Sequence, residues 1–190
     1  MIRVLRLSSP PSLGGELEQT RDFARVDGMH EDHLIAEMID GVAVEFERAT
    51  ETALLFQQIR VILDGWPAKT ETVGLPIGPV MAEPLFEATA DGTPFDAELI
   101  PGMRPLLRLY GPPGTDLLHA AIQIDYQAGF GASSGAIPAD IMVAIRDQVT
   151  ALYDERGSTS HTARGQARGG LDVMSYAMQR AIGRYRGVRA

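Results

Sequence analysis

The side chains that could do chemistry in this chain are few and scattered. His30 and His33 stand three apart with Glu31 and Asp32 between them, a spacing that metal sites on helices use. No third ligand is indicated, and His119 and His161 are isolated, so no metal is expected. Cysteine is absent, which removes thiol nucleophiles, thiolate metal sites and disulfides, and fits a reducing compartment. The run Tyr110–Asp116 (YGPPGTD) has the look of a phosphate loop. It lacks the Gly-Lys-Ser/Thr ending that supplies the phosphate lysine and the magnesium hydroxyl, and it reads as a proline-rich turn. Gly129–Gly135 (GFGASSG) precedes a helical segment, where backbone amides can cradle an anion. With no basic side chain and the wrong glycine spacing, it reads as a flexible strand-to-helix loop. No Gly-x-Ser-x-Gly elbow occurs. No catalytic residue, cofactor or metal is therefore expected.

The elements that surround these residues follow from periodicity. Pro10-Pro11 leaves residues 1–12 extended. Leu13, Leu17, Phe23 and Val26 suit a short amphipathic helix over 14–26, broken at Asp27-Gly28. Leu34, Ile35, Met38, Ile39, Val42 and Phe46 recur at three-and-four spacing and predict a helix over 31–49. Glu37, Asp40, Glu45 and Glu47 are placed on its wet side, a solvated face with no apolar surround to raise a carboxyl pKa. Residues 58–63 read as a strand closed by the turn signal Asp64-Gly65. Prolines crowd residues 70–116, which must be short strands and loops. Leu106–Tyr110 reads as a strand, and the strict alternation Ile122, Ile124, Tyr126 predicts another over 119–127. Pro138 opens a helix over 138–156 with Ile141, Ile145, Val149 and Leu152 as its stripe. Residues 158–170 carry no large apolar side chain and read as a flexible linker.

The expected class is α+β: a helical bundle core with an inserted antiparallel β region (about 54–128) and a tethered C-terminal helix. The corresponding domains are 1–157, the linker 158–170, and a helix with a basic tail over 171–190. Formal net charge is −8, yet residues 161–190 carry +5, which leaves −13 for the remainder. An acidic body repels nucleic-acid phosphates, while a basic tail suits an acidic partner, DNA or plain solvent. On the last helix Leu171, Met174, Met178, Ile182 and Tyr185 form an apolar stripe. Either it folds back onto its own bundle or it docks in a partner's groove. No apolar run approaches the roughly 18 residues that span a bilayer.

A series of short motifs, in order, resembles the head–tail connector (adaptor) proteins of long-tailed phages and gene transfer agents. They are Arg25-Val26-Asp27 at the end of the first helix, then Glu31, Asp32, Leu34 and Ile35 at the start of the next, with Glu47 and Thr50 near its end. The turn Asp64-Gly65-Trp66-Pro67, the loop Tyr126–Gly131, the helix entry Ile137–Ile141 and the closing Tyr185-Arg186 follow. The resemblance spans about Leu13 to Arg186 and departs at Glu51–Leu55, where members often carry a glycine-rich turn.

The resemblance implies a structural virion protein, not an enzyme, made in the bacterial cytoplasm and ending in the particle neck. It implies a homo-oligomeric ring, typically of about twelve subunits, beneath the capsid portal protein. Such a ring extends the DNA channel without sequence-specific binding, and an acidic wall keeps DNA from sticking. It links the head to a stopper or tail-completion protein, with no membrane involved. It further implies that the C-terminal segment attaches to the portal. Leu171, Met174, Met178, Ile182 and Tyr185 would then be apolar contacts, and Arg180, Arg184 and Arg186 charged ones. The alternatives are a stopper or tail-completion protein, and a small cytoplasmic enzyme with an unrecognised pocket in the β region.

Overall fold

The computed structural model describes residues 2–67, 72–82, 85–110, 119–156 and 174–187. Most of the Tyr110–Asp116 turn, the 158–170 linker and Leu171 lie outside the described residues. The class is α+β, with four α-helices and antiparallel sheets among the described residues. The chain forms two units, each made of discontinuous segments: residues 1–11 with 51–132, and residues 12–50 with 133–190.

The first unit is built from strands. They are β1 (Ile2–Arg6), β2 (Gln57–Asp64), β3 (Thr72–Gly74), β4 (Phe86–Ala90), β5 (Thr93–Pro94), β6 (Ala97–Ile100), β7 (Leu106–Leu109) and β8 (Ala121–Ala128). A five-stranded sheet runs in the order β1-β2-β8-β4-β5, and a three-stranded sheet in the order β3-β7-β6. Alternation decides what each strand buries. Ile59, Val61 and Leu63 of β2 and Ile122, Ile124 and Tyr126 of β8 turn inward. There they join Leu75, Ile77, Leu99, Leu107 and Leu109 in one core. The opposite face is polar: Arg60 of β2 grips Asp125 of β8 through two bonds of 2.7 Å.

The Tyr126–Gly131 segment is the lock of this unit. The Tyr126 hydroxyl donates to the Ile77 carbonyl at 2.9 Å and accepts from the Ile77 N–H at 3.3 Å. Burial pushes its phenol well above the usual tyrosine range. Gly129 adopts φ +138°, and a Cβ there would sit 2.5 Å from the Leu55 backbone. Gly129 N–H bonds the Pro79 carbonyl at 2.8 Å, Phe130 N–H the Leu54 carbonyl at 3.2 Å, and Phe56 N–H the Gly131 carbonyl at 2.9 Å. The start of the expected flexible loop is thus pinned by backbone bonds; only glycine fits where two chain segments come this close.

The second unit holds α1 (Leu17–Ala24), α2 (Asp32–Thr50), α3 (Ala139–Arg156) and α4 (Tyr176–Tyr185), with single 3-10 turns at Gly14–Glu16 and Ser134–Ala136. The first helix stops earlier than Asp27-Gly28. Arg25 takes the left-handed conformation at φ 54°. Val26 N–H returns to the Arg21 carbonyl and Arg25 N–H to that of Asp22, a Schellman closure. Arg21 also pairs with Asp32 at the start of α2, at 3.2 Å. Inside α2 the apolar stripe holds, since Ile35, Ile39, Val42 and Phe46 are buried. Glu47 is a correction: it is buried, not on the wet side. It lies four residues beyond Ala43 and eight beyond Ile39, so helical geometry returns it to the buried stripe.

Candidate functional site

Of the residues that the sequence offered for chemistry, Glu31 and Asp40 make structural hydrogen bonds and the described histidines lie at the surface. His33 faces solvent beside Glu37, His30 and His119 are exposed, and among the described residues no three metal-ligating side chains come together. Asp40 accepts from the Leu13 N–H at 2.8 Å and the Ser12 hydroxyl at 3.1 Å, fixing the entry to the first helical turn. Glu31 accepts from the Tyr153 hydroxyl of α3. Glu16 pairs with Arg146, which sits 130 residues away in sequence. Burial pushes the Glu16 carboxyl up, but the Ser134 hydroxyl and the Arg146 guanidinium outweigh it and hold the carboxyl below its usual range. No sequence signal links those two residues.

The assembly candidate on the last helix is described from Met174 onward. Ser175 caps α4, its hydroxyl accepting from Met178 N–H at 3.2 Å while its own N–H donates to Gln148 Oε1 of α3 at 2.6 Å. At the other end Arg184 and Tyr185 both reach Asp140 at the start of α3, Tyr185 through its hydroxyl at 3.0 Å. Burial and the neighbouring Asp140 carboxylate raise the Tyr185 phenol above its ordinary value. The Tyr185 ring also meets Phe46 of α2 edge-on, with centroids 6.1 Å apart.

This arrangement divides the eight interface candidates. Met178 is buried, while Met174, Ile182 and Tyr185 are half-buried. Arg180, Arg184 and Arg186 are exposed, with the Arg180 guanidinium over the Tyr176 ring at 5.7 Å. A shallow groove of about 300 Å³ runs between α3 and α4, floored by Val143, Ala177 and Ala181 and rimmed by Asp140, Arg180 and Arg184. Of the two readings of the stripe, the fold-back onto its own helices is the one this structure adopts; Leu171 lies outside the described residues.

The stretch 1–12, expected to be extended, contains β1. It carries exposed Ile2, Val4 and Leu5 and is followed by exposed Leu7. The signal was present, because apolar residues on both faces of one short strand are out of keeping with a one-sided sheet.

No family model matches the chain, and no curated protein matches it. Solved structures do. A chain from the virion of a native gene transfer agent particle superposes with a TM-score of 0.70 at 25% identity, covering 98% of this chain and 96% of that one. A chain from the neck of an empty gene transfer agent particle, computed with sixfold symmetry, gives 0.68 at 25% identity, covering 99% and 97%. One from the neck of a native particle, computed with twelvefold symmetry, gives 0.67 at 25% identity, with the same coverage. The chain is thus similar along nearly its whole length to structural components of a virion neck. Those neighbours sit in assemblies with rotational symmetry. Among the described residues no helix is long and apolar enough to cross a membrane.

Proposed function

We propose that this chain is a structural protein of a virion or gene-transfer-particle neck, the head–tail adaptor that forms a ring beneath the capsid portal. The observation that carries it is the end-to-end structural likeness to chains of gene transfer agent necks, at 25% identity. The ring extends the DNA channel, offers its far side to a stopper or tail-completion protein, and performs no catalysis. The acidic body fits a channel wall that DNA slides past, because like charges repel.

Residues 1–157 act as the connector domain, a helical core with its inserted β region. Residues 158–170 tether the C-terminal helix, which is the portal anchor. Docking exchanges the packing of α4 on α3 for packing on the portal. Leu171, Met174, Met178, Ile182 and Tyr185 then become apolar contacts, and Arg180, Arg184 and Arg186, already exposed, the charged ones. The polar attachments of α4 at its two ends, Ser175 to Gln148 and Arg184 with Tyr185 to Asp140, are the bonds that exchange has to break.

The test is capture of the full-length chain by a portal ring from the same particle, against a version ending at Gly157, followed by sedimentation. Stoichiometric capture that disappears on truncation is expected. Capture that survives truncation removes the anchor. Failure of both versions removes the adaptor reading.

A further inference from the structure

The five-stranded sheet has apolar positions left bare at both of its outer edges, on one face. Cross-strand register places Val4, Val61, Ile124 and Ala88 in one row, and Ile2, Leu63, Ile122 and Ala90 in another. Paired residues share a face, so Ile2 and Val4 point to the side on which Val61 and Leu63 are covered. Yet Ile2 is 53% exposed and Val4 38%, against 0% for Val61. At the far edge Phe86 lies in the row of buried Ile59 and Tyr126 but is 36% exposed; Leu85 before it, 69% exposed, alternates to the opposite face. The apolar face of the sheet outruns its cover at both ends.

The backbone is open there too. Leu7 N–H bonds the Gln58 carbonyl. Antiparallel alternation therefore gives Leu5 and Arg3 to β2 and turns the N–H and C=O of Ile2 and Val4 outward. On β4, Gln127 N–H bonds the Leu85 carbonyl. By the same alternation Phe86 directs its backbone groups away from β8, at a position β5 does not reach. On the polar face, exposed Arg3 of β1 pairs with Asp64 of its own chain at 3.1 Å, and exposed Glu87 follows Phe86 on β4.

We propose that these two edges are the two halves of the contact between adjacent copies of this chain in a ring, β1 of one copy meeting the Leu85–Phe86 edge of the next. A ring requires a heterologous contact, with two different patches on each subunit. One sheet here supplies both, each with apolar side chains bare on the same face and backbone groups turned outward. A bare strand edge without such a partner is a liability. The inference rests on the ring reading above but specifies its contact.

The chain has no cysteine, so introduced thiols report alone. Within one copy, Val4 and Phe86 are separated by three strand spacings, about 14 Å, too far for a disulfide, which needs Cα atoms within about 7 Å. Full-length V4C and F86C chains, one of them tagged, are mixed and oxidised, both as concentrated protein and in assembled particles. The expected result is a V4C–F86C dimer well above the statistical proportion. A statistical mixture in both settings, a preferred V4C–V4C dimer, or linkage only to a different neck protein overturns the proposal. Portal capture of the unmodified chain is scored separately. The mixed dimer without capture removes the adaptor reading alone, and capture without the mixed dimer removes the edge contact alone.

Discussion

Strands β1 and β8 flank the same strand, β2, and share its rows, yet one is covered and the other bare. In the row Val4–Val61–Ile124–Ala88, Ile124 is fully buried and Val4 is 38% exposed. Strand pairing alone therefore does not bury a side chain; cover from the facing sheet does. The difference separates residues that hold this unit together from residues that remain available to a neighbour.

The sharpest way to test that separation is to truncate the covered member. Ile124→Ala removes a fully buried side chain between two sheets and should cost about 3 kcal/mol of unfolding free energy, read by urea titration. A loss below about 1 kcal/mol would mean the core is less well packed than its burial implies. Next in size is Tyr126→Phe. It keeps the ring but leaves the buried N–H and C=O of Ile77 without their hydroxyl partner. It should cost about 2 kcal/mol in the same titration.

The helical unit gives the comparison a pH axis that the β core lacks. Glu16→Gln should cost about 1–3 kcal/mol at neutral pH, since it removes a charge-assisted bond to Arg146. The folded carboxyl lies below its ordinary value of 4.5. Its stabilisation is therefore present above that value and fades as pH falls through the lower folded one. The difference between wild type and variant should shrink with acidification, whereas the Ile124→Ala difference should not. A Glu16→Gln deficit that persists to the lowest pH at which the protein stays folded would assign Glu16 a packing role instead.

What the sequence disclosed follows the same line. Alternation at Ile122, Ile124 and Tyr126 announced β8, and three-and-four spacing announced α2, because each pattern is local and repeats several times. Turn chemistry was legible at Asp64-Gly65, where Gly65 takes φ 87°. Three features were not legible, each depending on segments distant in the chain. The Glu16–Arg146 pair joins the two chain segments of the second unit across 130 residues of sequence. The need for glycine at 129 arises from the Leu55 backbone. Met178 reads as one member of an apolar stripe, and only the approach of α3 decides that it is buried while Arg180 is not. The motifs Arg25-Val26-Asp27 and Tyr126–Gly131 turn out to be a helix closure and a backbone lock, so part of the resemblance rests on fold and not on contacts between proteins.

The smallest expected effect tests the comparison most directly. Val4→Ala shortens the bare member of the row, and an exposed position of this kind should lose no more than about 0.5 kcal/mol in the free protein. The N–H and C=O that Val4 turns outward are unchanged by the substitution, so any effect reports on its side chain alone. A larger loss, near that of Ile124→Ala, would mean that β1 is already covered in solution. Concentration then discriminates: cover by a second copy makes the loss grow with protein concentration by mass action, and cover by the chain itself does not. A small and concentration-independent loss leaves β1 as a surface that is bare in the free protein and available to a neighbouring copy.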